Sequence, residues 1–411
     1  DPDSGSKGNL ILGRALREAA VPVDPGAEGR GLEVVLAAYA ERRARPRRRP
    51  LPRVALACAM AALLAALLLS PAGASVRNWV GDVFATAPTP TRPGLTGFPG
   101  GGQLLVQTAA GPWVVGADGS RHRLGDYDEA SWSPRGLYVA AAAGRRLSAV
   151  APDGTVHWTL TAPATVREPR WSPSGFLVAF RSGGGLRVLA GDGSEDRPLD
   201  ESVAPLAPSW SPLEKPQLAY VDAGGALRVV DAERDRSLAR AAALPGIEWL
   251  EWGSRGKVLL EASPRRLRTR PVAAAPGGHL SLGRPRAFHL PAGERVRDAA
   301  LAPGGRKVAV LLASTVAGAP RSELVLYDLR HRPPVRLLAI RGRLRELAWA
   351  PSGGRLLVAW PRFDEWLFLP TRPVEGKAVS GIAEAFAPTA GAFPRVEGWC
   401  CSVAPPDRGH G

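Results

Sequence analysis

The stretch that decides the fold is RWSPSGFLVAF, residues 170–180, which contains a Trp-Ser-Pro-Ser-Gly motif that begins at Trp171. A tryptophan at the end of a strand offers a large apolar face for packing between sheets. Pro173 presets φ for a tight turn, and Gly175 accepts the positive φ that many such turns require. The apolar run that follows is typical of a second strand. The stretch therefore predicts a strand, a tight turn and a second strand.

Related segments recur along the chain, namely SWSPRGLYVA (131–140), SWSPLEKPQLAY (209–220), EWGSRGKVLL (251–260), LAPGGRKVAV (301–310) and AWAPSGGRLLVAW (348–360). Their large apolar residues, spaced by 39, 39, 42, 49 and 48 residues, are Trp132, Trp171, Trp210, Trp252, Leu301 and Trp349. The intervals also contain Asp-Gly pairs, which favour type I′ hairpins, at Asp118-Gly119, Asp153-Gly154 and Asp192-Gly193. Each repeat offers four strands in about 40 residues, which is the size of one β-propeller blade.

The C-terminal stretch PRVEGWCC, residues 394–401, repeats only the first strand of such a unit, with Trp399 as its large apolar residue. The repeat region begins, conversely, near Gln103 with strands that follow no Trp strand. We expect the C-terminal strand to complete the blade that the N-terminal strands begin, because this removes two sheet edges. The sequence therefore predicts an all-β, seven-bladed propeller over 103–402. Six blades are the alternative, since the segments around Trp252 and Leu301 are irregular.

The chain has three cysteines, Cys58, Cys400 and Cys401. Adjacent residues have Cα atoms ~3.8 Å apart, below the ~4.4–6.8 Å that is usual for a disulfide. We therefore expect Cys400 and Cys401 to be two buried thiols, with a vicinal disulfide as the alternative.

An uncharged, apolar stretch precedes the repeats at residues 54–74. Its length suits a helix that spans a bilayer. We expect a transmembrane signal anchor. A cleavable signal peptide ending at Ala72-Gly73-Ala74 is one alternative, but the long segment before it is unusual for a signal peptide. A buried soluble helix is the other, and it would rarely be so uniformly apolar.

Arginines flank this stretch almost entirely on its N-terminal side, at Arg42, Arg43, Arg45, Arg47, Arg48, Arg49 and Arg53. Only Arg77 follows it closely. The positive-inside rule then predicts that residues 1–53 are cytoplasmic and that the chain after about residue 75 is extracytoplasmic. We expect residues 75–102, rich in Pro and Gly, to be a linker, and residues 403–411 to be a disordered tail.

The expected cytoplasmic segment, 1–53, is too short for a robust core of its own. It contains one amphipathic stretch, in which Leu32, Val35, Leu36 and Tyr39 fall on one helical face. This face is a candidate binding surface for a cytoplasmic protein. The alternative interpretation is a loosely helical lead into the membrane helix.

The Trp-Ser-Pro-x-Gly copies resemble the WD40-like repeats of the TolB-type β-propellers, over about residues 100–402. The Asp that usually follows Ser-Pro in that family is replaced here by Arg135, Ser174 and Leu213. The resemblance implies a propeller and says little about function. A membrane segment stands where the TolB accessory domain would be, so a TolB-like transport role does not follow. The layout also resembles membrane-anchored propeller proteins of high-GC bacteria whose cytoplasmic heads are similar to anti-sigma regions.

The sequence contains few patterns that are typical of catalysis or metal binding. It contains no G-x-S-x-G or H-E-x-x-H motif, and its six histidines are scattered. We therefore expect no enzymatic activity, no metal and no cofactor. The net charge is +15. Because the arginines outside the cluster before residue 54 are dispersed, we expect no nucleic-acid binding; the positive charge favours anionic partners such as a cell-envelope polymer.

These observations predict a propeller tethered to the cell membrane and exposed outside the cytoplasm, which binds protein or anionic envelope ligands. One alternative is a transmembrane signalling protein, in which the propeller senses and residues 1–53 hold a cytoplasmic regulator. A second alternative is a propeller enzyme, which would need acidic or histidine residues at the mouth of the central channel.

Overall fold

A computed structural model of the chain describes residues 94–401 apart from 214, 254, 331, 373–375 and 387–391. The predicted membrane span at 54–74, the arginine cluster at 42–53 and the amphipathic face at 32–39 lie outside the described residues, and they stay predictions. Among the residues that are described, no helix is both long and apolar enough to cross a membrane.

The described chain is a succession of short strands. The first half contains β1 (Gln103–Thr108), β2 (Gly111–Gly116), β3 (Arg121–Arg123), β4 (Glu129–Trp132), β5 (Val139–Ala143), β6 (Arg146–Val150), β7 (Val156–Thr161), β8 (Val166–Trp171), β9 (Leu177–Ser182), β10 (Gly185–Ala190), β11 (Arg197–Asp200), β12 (Ser209–Trp210), β13 (Gln217–Val221), β14 (Ala226–Asp231) and β15 (Arg236–Ala242). The second half contains β16 (Trp249–Trp252), β17 (Val258–Ser263), β18 (Arg266–Ala274), β19 (Leu280–Leu282), β20 (Arg286–Phe288), β21 (Arg295–Leu301), β22 (Lys307–Val316), β23 (Ala319–Asp328), β24 (Val335–Arg341), β25 (Arg345–Trp349), β26 (Arg355–Trp360), β27 (Glu365–Pro370), β28 (Lys377–Ser380), the short helix α1 (Ile382–Ala385) and β29 (Arg395–Cys400).

These strands form seven antiparallel sheets, which are the blades of a propeller. Blade 1 has the order β29-β1-β2-β3, and blades 2, 3 and 4 consist of β4–β7, β8–β11 and β12–β15. Blade 5 contains β16–β19 with β20 paired to β18, and blades 6 and 7 consist of β21–β24 and β25–β28. The first strands contact one another in sequence from β4 to β29, and β29 returns to contact β4. The ring is thus closed around a central channel lined by the first strands. Seven blades are confirmed, and the six-blade alternative is wrong.

The C-terminal strand closes the ring as the sequence predicts. β29 pairs antiparallel with β1, so that Trp399 lies opposite Leu104. The Trp399 indole N–H donates a hydrogen bond to the Gly101 carbonyl at 2.8 Å. Within the range assigned to the linker, Leu95 and Phe98 are buried. Phe98 packs edge-on against Trp399, with ring centroids 5.6 Å apart, so the chain before β1 is also fixed between blades 7 and 1.

The core lies between the blades, in seven clusters that each join two adjacent sheets. One large apolar residue of the repeat lies in each cluster, namely Trp132, Trp171, Trp210, Trp252, Leu301, Trp349 and Trp399. The first strand of a blade therefore packs its motif residue against the preceding blade. This placement follows from size, since an indole ring can fill the space where two twisted sheets diverge.

The ends of the blades form two faces. The turn face carries the connections between first and second strands, such as 172–176, and between third and fourth strands. The connection face carries the hairpins between second and third strands, such as 263–266, and the links between blades, such as 341–345. Since antiparallel neighbours alternate in direction, each kind of connection falls on one side of the ring.

The expectation of two buried thiols is wrong. Cys400 and Cys401 form a vicinal disulfide, with Cα atoms 3.7 Å apart. Both residues keep partial exposure and lie against the turn of blade 2, where a Cβ on Gly136 would come within 3.3 Å of Cys401 Sγ. The usual Cα range for disulfides describes cysteines that are distant in sequence, and it did not exclude this adjacent pair.

Candidate functional site

The repeated turn is built from the same backbone bonds in blade after blade. In blade 3, the Gly175 N–H donates to the Ser172 carbonyl at 2.9 Å, and the Ser172 N–H donates to the Leu177 carbonyl at 2.8 Å. Gly175 has a φ of +79°, which a residue with a side chain adopts only with strain. The buried Ser172 hydroxyl accepts a further bond from the Leu177 N–H at 3.1 Å. The tight turn forces the following residue out to the surface.

The turns after the first strands of three adjacent blades present large apolar side chains on the turn face. Leu137 in blade 2, Phe176 in blade 3 and Leu213 in blade 4 are 47%, 55% and 45% exposed. Leu213 also reaches the turn of blade 5, where a Cβ on Gly256 would lie 2.6 Å from its Cδ1 atom. We call Leu137, Phe176 and Leu213 the apolar arc. Exposed apolar side chains gathered in one region are typical of a binding surface, whereas isolated ones need no explanation.

Aromatic packing fixes the base of this arc. Tyr138, which follows Leu137, stacks on Trp171 with ring centroids 6.3 Å apart and meets His157 edge-on at 4.6 Å. Trp158 donates its indole N–H to the Gly191 carbonyl of blade 3 at 2.9 Å. The arc therefore stands on a rigid base that spans blades 2 and 3.

The first strands carry carboxylates that join neighbouring blades around the channel. Glu251 on β16 accepts a hydrogen bond from the Leu301 N–H on β21 at 2.7 Å. Asp298 on β21 accepts one from the Leu347 N–H on β25 at 2.9 Å. On β12 a serine takes this role, since Ser209 Oγ accepts a hydrogen bond from the Trp252 N–H on β16 at 2.8 Å. These side chains act as bridges between blades.

The carboxylates of blades 5, 6 and 7 are held in an environment that disfavours charge. Burial raises the pKa of Glu251 to about 7 and the pKa of Asp298 to about 6, and the hydrogen bonds from backbone N–H groups oppose that rise. Burial also raises the pKa of Glu346 to about 7. Glu346 Oε2 has no hydrogen-bond partner among the described residues. These three groups lie on consecutive first strands, so the channel wall on this side carries carboxyl groups whose pKa values are all raised by burial.

In blades 2 and 3 the carboxylates of the channel wall form ion pairs with arginines. Glu129 on β4 forms an ion pair with Arg167 at 3.0 Å and accepts a hydrogen bond from the Glu168 N–H at 2.6 Å. The Glu168 carboxylate pairs in turn with Arg181 at 3.0 Å. Acidic residues in the channel are the feature that a propeller enzyme would need. Most of them, however, are already bonded to the backbone or to arginines of the ring.

The residues predicted from the sequence therefore fall in two groups. The seven motif residues, Trp132, Trp171, Trp210, Trp252, Leu301, Trp349 and Trp399, lie in the gaps between blades and form no surface site. The remaining candidates, on 32–53, lie outside the described residues. Sequence reasoning missed the apolar arc, although its signal was present: an apolar residue directly after Gly136 and Gly175, and one in the turn at Leu213. It also missed the channel carboxylates, which stand one to three residues before the motif residue on several first strands.

No family model matches the chain, and no curated protein matches it either. Among solved structures, the chain is similar to the β-propeller domain of Myceliophteria thermophila Cps50 (Swd1), at 17% identity and a TM-score of 0.52, over 67% of this chain and 95% of that one. It is also similar to Kuenenia stuttgartiensis hydrazine synthase, at 15% identity and a TM-score of 0.48, over 59% and 75% of the two chains. A chain of a mitotic checkpoint complex matches at 14% identity and a TM-score of 0.47, over 72% and 86%. At such identities the first of these likenesses supports the propeller fold alone, and we base no functional assignment on the other two.

Proposed function

We propose that the protein is a membrane-tethered, extracytoplasmic propeller without enzymatic activity, which binds a protein partner through its turn face. The observation that carries this proposal is the apolar arc, in which Leu137, Phe176 and Leu213 are each about half exposed on three adjacent blades. The TolB-like character of the repeat and the membrane anchor rest on the sequence patterns at 131–176 and 54–74.

A protein is the partner that best fits the arc. Its side chains lie on the tips of rigid turns, so their burial against a partner costs little additional conformational entropy. Complete burial of a fully exposed large apolar side chain contributes about 1.5–3 kcal/mol, so each of these half-exposed side chains can contribute about half of that. Three such residues around one rim form the kind of apolar anchor that protein interfaces use.

The channel favours binding over catalysis. Glu251 and Asp298 each accept a backbone N–H from the adjacent blade, and these bonds hold them in structural positions. A general acid or base must be within hydrogen-bond reach of a substrate, and one oxygen of each of these carboxylates is already engaged in the bond between blades. We therefore assign Glu251 and Asp298 to ring closure.

The experiment is a cross-linked pull-down of the full-length chain from native membranes, with quantification of each partner. The test variant is Leu137→Asp/Phe176→Asp/Leu213→Asp. The matched control is Val316→Asp/Phe363→Asp, which changes exposed apolar residues on the connection face that are 53% and 46% exposed. We expect the test variant to lose a specific partner that the wild type and the control retain. Equal recovery by all three proteins would refute the role of the arc.

The signalling alternative rests on the amphipathic face at 32–39. It proposes that the propeller senses outside the membrane, while residues 1–53 hold a cytoplasmic regulator such as a sigma factor. Deletion of residues 1–40, which keeps the whole arginine cluster and the apolar span, should then remove one cytoplasmic partner and leave the envelope partners in place. The variant Leu36→Asp should do the same. If both changes leave every partner in place, the N-terminal segment serves only as a lead into the anchor.

A further inference from the structure

The positive charge of the propeller is concentrated in one part of the ring. Residues 251–350 contain 19 Lys and Arg against 7 Asp and Glu, whereas residues 151–250 contain 10 against 13. The first range covers blades 5 and 6 and the beginning of blade 7. The excess is therefore a property of one sector of the ring, and it does not result from arginines spread evenly over the surface.

Part of this charge lies at the mouth of the channel on the connection face. The residues concerned lie within two residues of the starts of β21, β25 and β29, and they are Arg295, Arg297, Arg343, Arg345 and Arg395. All five are exposed. We call them the arginine rim. The three strands are the first strands of blades 6, 7 and 1, and each contacts the next, so the rim follows an arc around the channel mouth.

The hairpin of blade 5 extends the rim on one side. The Val296 N–H donates a hydrogen bond to the Pro264 carbonyl at 2.9 Å, which fixes this hairpin beside the start of β21. The next two residues, Arg265 and Arg266, are both exposed. The basic surface therefore continues from blade 1 through blades 7 and 6 to blade 5.

Little negative charge compensates the rim. Arg395 pairs with Glu397 at 2.6 Å. No ion pair or hydrogen bond joins the side chains of the other four rim arginines to another residue in the described part of the chain. The carboxyls nearest to these arginines along the chain are those of Glu294, Asp298, Glu346 and Glu397, each within two residues of a rim arginine. Burial raises the pKa of Glu294, Asp298 and Glu346, which favours the neutral form of each group.

We propose that the arginine rim is a binding site for a linear polymer that carries phosphate groups. Guanidinium groups bind phosphate oxygens through two parallel N–H donors, and exposed arginines can do so without breaking existing bonds. The arrangement favours a polymer over a single anion, because the arginines are spread along three strand starts and a hairpin. The rim lies on the face opposite the apolar arc, so this proposal goes beyond the protein-binding function and either can fail alone.

The test measures the affinity of the full-length chain, in zwitterionic detergent, for inorganic polyphosphate over a range of salt concentrations. The rim variant is Arg295→Gln/Arg297→Gln/Arg343→Gln/Arg345→Gln. The matched control is Arg255→Gln/Lys257→Gln/Arg306→Gln/Arg330→Gln, which removes the same charge from exposed residues of blades 5 and 6 on the turn face. All eight residues are exposed, so we expect both variants to fold, and their thermal unfolding verifies this.

We expect the rim variant to bind polyphosphate at least about tenfold more weakly than the wild type and to show a shallower dependence of log K on log salt, by about 3. The control variant should stay within about threefold of the wild type. Equal losses in both variants would show that only net charge matters, and an unchanged rim variant would show that the rim is not the site. Either result overturns the proposal.

A second arm distinguishes a polymer from a membrane surface, which presents phosphate groups through lipid headgroups. Vesicles that contain anionic phospholipid compete with polyphosphate at equal total phosphate. We expect polyphosphate to remain bound. If the vesicles displace it and bind through the same four arginines, the rim is a membrane-facing surface and the polymer assignment is wrong.

Discussion

Blades 2–4 and blades 5–7 reach the same four-stranded geometry with different side chains. In blades 2–4 the turn after the motif residue contains a buried serine, whereas Gly253, Ala302 and Ala350 stand at that position in blades 5–7. The backbone bonds nevertheless persist, since the Gly305 N–H donates to the Ala302 carbonyl at 2.7 Å as its counterpart does in blade 3. The backbone turn is therefore what the blade requires, and the serine hydroxyl is an addition to it.

The two halves also differ in how they hold charge. Channel carboxylates of both halves accept backbone N–H groups from the next blade, as Glu129, Glu251 and Asp298 do. In blades 2 and 3 the carboxylates also pair with arginines, whereas Glu251 and Asp298 form no ion pair in the described part of the chain. Blade 5 additionally encloses an ion network, in which the fully buried Glu261 contacts Arg270 at 2.9 Å and Arg268 at 2.5 Å. Glu261 also accepts the Leu244 N–H at 2.8 Å. Blade 5, whose turn lacks the serine, thus contains a buried ion network around Glu261.

Glu261→Ala gives the largest expected effect, because it leaves two arginines and a backbone N–H without their shared acceptor. We expect a loss of about 3–5 kcal/mol in the free energy of unfolding. A urea titration of the full-length chain, followed by tryptophan fluorescence, measures it. The exposed Glu233→Ala is the control, with an expected change within about 0.5 kcal/mol. A small effect of Glu261→Ala would show that blade 5 does not depend on its ion network.

Ser172→Ala tests how much the buried turn serine contributes to the stability of blades 2–4. The hydroxyl of Ser172 is buried and accepts the Leu177 N–H, so its removal should cost about 1–2 kcal/mol in the same titration. Ser202→Ala, at an exposed position, should change stability little. If Ser172→Ala were neutral, the serine would be dispensable in blades 2–4 as well, and the contrast between the two halves would disappear.

Glu346→Gln tests the acidic side of the channel through its pH dependence. Because the pKa of Glu346 is about 7 when folded and lower when unfolded, the folded chain binds more protons between these values, and stability falls as pH rises through this range. The amide cannot ionise. We therefore expect the variant to be more stable than the wild type at pH ~8, by about 1 kcal/mol after allowance for channel water, and to show little difference at pH ~4.

The measurement is the urea midpoint of both proteins at the two pH values. The exposed Glu384→Gln is the matched control, and it should show no such pH-dependent gain. A difference between Glu346→Gln and the wild type that stays constant with pH would contradict the assignment of a raised pKa to this group.

Ala350→Ser gives the smallest expected effect and sharpens the first contrast. It places the hydroxyl of the regular turns into blade 7, where the Ala350 N–H already donates to the Arg355 carbonyl at 3.0 Å. We expect a change within about 0.5 kcal/mol in the urea titration, because the backbone turn is complete without the hydroxyl. A gain of 1 kcal/mol or more would show that the irregular turns are weaker versions of the regular ones.

Local sequence patterns carried most of the fold. The Trp-Ser-Pro-x-Gly copies predicted the turns, their spacing predicted the blades, and the incomplete unit at Trp399 predicted the closing strand. Leu301 was placed by its spacing and by the turn residues Pro303 and Gly305, because no tryptophan stands there. These predictions succeeded since strand period, turn chemistry and side-chain size act over a few residues.

The candidate sites were harder to predict, because they depend on residues that are distant in sequence. Leu137, Phe176 and Leu213 are separate positions until the ring brings three turns side by side. The rim arginines are likewise spread over about 100 residues. The sequence therefore did not show that they lie together at the channel mouth. The disulfide between Cys400 and Cys401 was missed for a different reason, since we judged an adjacent pair by the geometry of distant ones.

The sequence by itself thus determined the repeat and the strand that closes the ring, and it favoured seven blades over six, because these features depend on short-range spacing and composition. Only the tertiary structure decided which side chains share a face, which carboxylates bridge blades and where the positive charge collects. The physical reason is that a propeller places equivalent positions of successive repeats next to one another, so its surfaces are composed across repeats and not along the chain.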